Sequence, residues 1–163
     1  MRTGDLGISR SMARVLASTD GSEADADLLA RTVGLLGRDH GFIVLRVVEV
    51  PVATLPGAGL TGAEAAPVIV DKEAAETAEA DAAADLDRHV RLLGVDAMAR
   101  VEVGEAAATI CRVALETNAD LIVVGSHGTG LMRRLMFGSV SDTVAHHAPC
   151  PVLLMRPVAV ADD

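Results

Sequence analysis

The chain has 163 residues, 50% of them hydrophobic, with two phenylalanines, no tryptophan, no tyrosine and a formal net charge of -9. A chain of that length makes one domain with ample Val, Leu, Ile, Ala and Met for a core, which excludes wholesale disorder. The same composition argues against aromatic platforms for single-stranded nucleic acid and against attraction to phosphate backbones or anionic membranes.

Residues 1–12 (MRTGDLGISRSM) are polar and carry no signal-peptide apolar run, so they read as a flexible leader to one domain over 13–157, with a tail at 158–163. Arg14 to Ser18 (RVLAS) reads as a short buried strand, followed by a turn at Asp20-Gly21-Ser22. Ser22-x-x-Asp25 has the form of a capping box opening a helix to about Leu36, with Leu29, Val33 and Leu36 on one face. Phe42 to Val50 (FIVLRVVEV) is a nearly continuous β-branched run, as expected for a strand buried on both faces. Pro51 to Pro67 has three prolines and three glycines without periodicity and reads as a loop or lid. From Asp71 to Leu93 helix periodicity returns, with Ala75, Ala78, Ala82, Leu86, Val90 and Leu93 predicted on one inward stripe. Ala97 to Val103 is predicted as a strand, Ala106 to Thr117 as a helix with Ile110, Val113 and Ala114 inward, and Leu121 to Val124 as a fourth strand ending at Gly125. Ser139 to His147 reads as a short helix and Pro151 to Met155 as a last strand.

Strict alternation of strands and helices predicts an α/β fold: a Rossmann-like, open, doubly wound five-stranded parallel sheet with helices on both faces. Such sheets bind ligands outside the carboxyl ends of their strands, where strand order reverses, so the loops after Ser18, Val50 and Val124 are the places for chemistry. One of them holds the most informative segment, Gly125-Ser126-His127-Gly128, nine further residues, then Gly138-Ser139-Val140. Glycines there let a ligand lie against backbone, and Gly138-Ser139 precedes a helix whose free N–H groups and dipole favour an anion. A plain alternative stands beside it: turn glycines, and Ser139-x-x-Asp142 as an ordinary helix cap.

The spacing G-x2-G-x9-G-S, with GSHGTG, LMFGSVSDTVAHHAPCPVLLMRP and the opening VLASTDGSEAD, resembles the nucleotide-binding branch of the universal stress protein family, over Met12 to Pro157. The resemblance implies strand order 3-2-1-4-5, an ATP site and a homodimer formed through the last strand, 151–155. An apolar edge strand left open is an aggregation hazard, which independently favours pairing with a second copy. By the resemblance, Gly125, Gly128, Gly138, Ser139 and Val140 hold the ribose and phosphates, and Asp20 lies near ribose, phosphates and a divalent metal. Val47 reads the adenine edge through its backbone, and Ser18, Thr19 and Ser126 are counted with the nucleotide-binding residues. His127 invites a general-acid role, but no carboxylate is placed by sequence to orient it, so it reads as a pocket-rim residue. The family commonly has a proline soon after the glycine that ends strand three, and Gly104-Glu105-Ala106 has none.

Asp20 beside phosphates calls for a cation between them, and a hard oxygen donor suits Mg2+. The expected function is an ATP-binding stress-response or regulatory protein without an evident catalytic set. ATP hydrolysis of the adenine nucleotide alpha hydrolase type is an alternative, although those enzymes carry S-G-G-x-D-S after strand one where this chain has S-T-D-G-S-E. Cyclic AMP in the same pocket is another. A Walker NTPase and a phospho-receiver domain both need lysines that are missing, since Lys72 is the single lysine. Adjacent His146 and His147 point apart on a helix and make a poor metal pair. Cys111 and Cys150 lack metal or disulfide spacing and read as reduced packing thiols. With no run of about 20 apolar residues, a membrane span is not expected and a cytoplasmic protein is.

Overall fold

The computed structural model describes residues 12–49, 72–125 and 139–156. Nine elements follow in strict alternation: β1 (Arg14–Thr19), α1 (Glu23–Leu36), β2 (Gly41–Val48), α2 (Lys72–Leu93), β3 (Ala97–Val103), α3 (Ala106–Thr117), β4 (Leu121–Gly125), α4 (Ser139–His147) and β5 (Val152–Met155). The strands form one parallel sheet, as the alternation predicts, in the order β3-β2-β1-β4-β5 that the family resemblance implies.

The apolar runs of the inner strands are continuous because alternate side chains serve two different layers. Val15 and Ala17 of β1, Phe42 and Val44 of β2 and Val123 of β4 pack with Leu28, Leu29 and Val33 of α1 and Leu86 of α2. Leu16, Ile43, Leu45, Ile122 and Val124 point the other way, to Ile110, Val113 and Ala114 of α3 and Val144 of α4. Each of the larger aliphatic side chains contributes about 1.5–3 kcal/mol on burial. Helices α1 and α2 therefore share one face of the sheet and α3 and α4 the other, with β1 at the centre.

The two edges are treated differently. On β3, Arg100 and Glu102 form a closed ionic square with Arg112 and Glu116 of α3, with N–O distances of 2.6 to 2.8 Å. Hydrogen bonds from Arg112, then Arg100, hold both glutamate carboxyls below the ordinary carboxylate range. On β5, Val152, Leu153 and Leu154 are only partly covered.

Several expectations shift. β1 runs one residue further, to Thr19, and β2 covers 41–48 where 42–50 was predicted. The final strand starts at Val152, since Pro151 supplies only a carbonyl, to the Ile122 amide at 3.0 Å. Ser22 is the residue before α1, but its side chain makes no capping hydrogen bond, so the capping box does not form. The inward stripe of α2 is shorter than predicted. Ala82 and Leu86 are buried and Val90 and Leu93 partly so, whereas Ala78 and nearly all of residues 72–81 are exposed. Alanine periodicity marks a face that can pack closely, and tertiary contacts decide how far along the helix it does so. The 51–67 loop lies outside the described residues.

Candidate functional site

The ladder registers locate the site. β1 pairs with β2 up to Thr19 and Arg46, but with β4 only up to Ala17 and Val123. β4 meanwhile continues beside β5 to Gly125 and Met155. Past Ala17 the two central strands have no ladder pairs with each other, at the place where the connections change from one face of the sheet to the other. This is the topological switch point at which open α/β sheets bind ligands. Ser18 is half-buried and Thr19 buried on its β1 side, and Gly125 closes β4 on the other.

Backbone alternation settles where Val47 looks. The Gly41 amide bonds to Ala13 of the β1 side, and Val48 accepts from the Gly104 amide on the β3 side. Odd-numbered residues of β2 thus direct their backbone groups towards β1. Val47 stands one residue beyond the last β1–β2 pair, so its backbone groups lie on the β1 side of β2 where that ladder ends.

The β1–α1 turn brings Asp20 to the same mouth. Thr19 Oγ1 accepts from the Gly21 amide at 3.0 Å, and Asp20 Oδ1 accepts from the Ser22 amide at 2.8 Å. Gly21 has φ +82°, which a residue without Cβ adopts at little cost. The local sequence thus explains the turn: a hydroxyl and a carboxylate each fold back on an amide two residues on. Asp20 is exposed, and the Ser22 amide fixes which way its carboxylate leans.

Two residues that the sequence reading missed shape the other side of the mouth. Glu49, just after β2, accepts from the Ala106 amide at 3.1 Å, and Glu105 accepts from Ala107 at 3.1 Å and Ala108 at 2.7 Å. The first three amides of α3 are therefore taken by carboxylates of the chain itself. The signal for Glu105 was present where the family's proline is missing: an acidic residue directly before a helix. Glu49 had none, since the contact spans 57 residues. α4 enters the same face with Ser139 exposed and Val140 partly covered. Ser126, His127, Gly128 and Gly138 lie outside the described residues.

The structure therefore brings Ser18, Thr19, Asp20 and Val47 together through the ladder, and sets Gly125 and Ser139 at the ends of the elements expected to carry them. His146 and His147 place Nδ1 on the carbonyls of Asp142 (2.8 Å) and Thr143 (2.9 Å), along the outside of α4. Among the described residues no group of three His, Cys, Asp or Glu side chains is placed to hold a metal. A cation at this mouth would take one carboxylate, Asp20, and fill its remaining positions from ligand and water, which fits the habit of Mg2+ and not a protein-built cage. No helix among the described residues is long and apolar enough to cross a membrane.

A doubly wound α/β domain with its mouth at the β1/β4 switch point defines the structural class. The sequence model for the universal stress protein family matches residues 12–156, and the chain belongs to that family. A Staphylococcus aureus (strain USA300) relative named for the same family is 42% identical over 69 residues, which is 42% of this chain and 42% of that protein's length. The universal stress protein UspA from Lactobacillus plantarum superposes with a TM-score of 0.69 at 25% identity, over 88% of this chain and 97% of its own. A universal stress protein from Archaeoglobus fulgidus, solved in complex with dAMP, gives a TM-score of 0.52 at 25% identity, over 88% and 97%.

Proposed function

We propose that this protein binds an adenine nucleotide, ATP, at the β1/β4 mouth and works as a nucleotide-dependent regulator in a stress response. The observation that carries the reading is the parting of β1 and β4 after Ala17 and Val123, with Asp20, Gly125 and the start of α4 around the opening. The dAMP complex of the Archaeoglobus relative supports the ligand class. In this reading the Val47 backbone meets the adenine edge, and Ser18, Thr19 and Asp20 line the ribose side. Gly125, Gly128, Gly138, Ser139 and Val140 hold the ribose and phosphates, Ser126 adds a contact, and His127 is a rim residue. Mg2+, when bound, supplies charge between the phosphates and Asp20.

The protein acts as one domain over 13–157 and as a homodimer through residues 151–155, where the partly covered Val152, Leu153 and Leu154 offer an apolar edge to a second copy. We place it in the cytoplasm. Cys111 and Cys150 are free, and burial pushes both thiols up, away from the reactive thiolate form.

Native mass spectrometry of the freshly purified protein tests ligand and assembly together: two chains carrying adenine nucleotide are expected. Calorimetry then shows ATP binding that Gly128→Val and Gly138→Val each abolish. Failure of the intact protein to bind ATP, ADP or AMP overturns the reading.

A further inference from the structure

The β1–α1 turn is backed by a residue with no place in the nucleotide reading. Arg46 lies level with Thr19 in the β1–β2 register, and its position in β2 sends its side chain to the face of Phe42 and Val44, away from Val47. Its guanidinium lies against Gly21: a Cβ placed there would stand 2.6 Å from Cζ, 2.6 Å from Nη1 and 3.0 Å from Nη2. Nη1 is also 3.2 Å from Asp85 Oδ2, halfway along α2, with the two side chains 26% and 27% exposed. Asp85 is held in turn by Arg88, whose Nη1 lies 3.1 Å from Oδ1, and has His89 Nδ1 at 3.7 Å.

Gly21 is therefore required by its φ, and the guanidinium lies in the space that a Cβ would take, which the end of a flexible side chain can vacate. Two local hydrogen bonds close the turn, Gly21 N–H to Thr19 Oγ1 and Ser22 N–H to Asp20 Oδ1, each contributing about 1 kcal/mol net. A planar guanidinium laid across Gly21 shields one side of that turn. It is fixed in its own place by a carboxylate on a different element.

We infer that Arg46 is a positioning residue: packed on Gly21 and ion-paired to Asp85, it holds the β1–α1 turn, and with it the Asp20 carboxylate, at the mouth of the sheet. The clamp makes α2 part of the site. A ligand that binds only the ordered turn also favours the Arg46–Asp85 contact, and by linkage anything that shifts α2 changes affinity for that ligand. Lysine cannot substitute, because a point charge on a flexible stem has no flat face to lay on Gly21. The consequence for binding rests on the nucleotide reading; the clamp itself does not.

The test uses the full chain in two arms. In the first, amide hydrogen exchange by NMR compares wild type with Arg46→Met, Arg46→Lys and Asp85→Asn. Gly21 and Ser22 are expected to exchange at least tenfold faster in both Arg46 variants, while Leu16 and Val44 in the sheet keep their protection. Asp85→Asn leaves the guanidinium but removes its anchor, so it gives an intermediate rate and serves as the second variant if Arg46→Met does not fold. Unchanged exchange at Gly21 and Ser22 in the folded variants overturns the clamp, whatever binding does. In the second arm, calorimetry is expected to show ATP affinity about tenfold weaker in the Arg46 variants. A dissociation constant within twofold of wild type, with the turn loosened, overturns the positioning role. A wild type that binds no adenine nucleotide defeats the nucleotide reading alone, and the exchange arm still decides the clamp.

Discussion

Helices α3 and α4 cover the same face of the sheet and both begin at its carboxyl end, yet their first turns differ in where their acidic residues stand. α3 starts with Glu105 on the amides of Ala107 and Ala108 and Glu49 on that of Ala106. Its dipole is answered by two negative charges, which would repel a phosphate brought near them. α4 starts with Ser139 and Val140, and its nearest acid, Asp142, lies within the first turn. Two helix starts of one kind thus divide into a structural one, closed by the chain itself, and one to which the proposed polyphosphate is directed. In an acidic protein this division matters, because with a net charge of -9 attraction must come from local dipoles, not from the overall field.

The largest effect is expected from placing a carboxylate at the start of α4. Ser139→Glu should weaken ATP binding by at least two orders of magnitude in calorimetry, since like charges side by side in a binding site cost several kcal/mol. Adenosine, which has no phosphate, should bind the variant as it binds wild type. Equal loss of both ligands would show that the two helix starts do not differ in the way described.

Stripping α3 is the reciprocal change and a smaller one. Glu105→Ala removes an acceptor from two amides and should cost about 1–2 kcal/mol in urea unfolding, in the range of lost helix caps. Glu49→Ala, with one amide, should cost less. Neither should weaken ATP binding, and a modest gain at low salt is expected as negative charge leaves the mouth.

The smallest effect concerns the far end of α3 and shows only in acid. Glu102 and Glu116 have carboxyls lowered by Arg112 and Arg100, so the folded state binds fewer protons than the unfolded one over that range. Their contribution is complete above the ordinary glutamate value of about 4.3 and is lost as pH falls through their lowered folded values. The urea midpoint followed from pH 6 to pH 3 should fall less steeply in Glu102→Gln/Glu116→Gln than in wild type. Parallel profiles would remove the square from the account of what holds α3.

Much of this was legible in the chain because strand and helix periods are local properties. β3, α3 and α4 begin and end where their apolar patterns do, and Ile110, Val113 and Ala114 are buried as their spacing requires. The placement of Asp20 at the end of β1 followed from a turn pair after a buried run. Expectation failed where a local pattern admits two outcomes. Ser22-x-x-Asp25 has the letters of a capping box, but the Ser22 side chain does not take the bond. The alanines of α2 look alike along the whole helix, yet Ala82 is buried and Ala78 exposed, a difference that no local period carries.

By itself, then, the sequence determined the elements, the two-faced burial of the inner strands and the family to which the chain belongs, because hydrophobic period and motif spacing are written along one dimension. Tertiary structure alone decided which groups share the mouth. Glu49 meets the Ala106 amide across 57 residues, and Arg46 reaches Gly21 on one side and Asp85 on the other, across 25 and 39. No spacing rule links those positions. They meet because parallel strands leave at the same end, which brings Glu49 to the start of α3 and Arg46 to the β1–α1 turn, and because α2 packs back over the sheet, which brings Asp85 to Arg46.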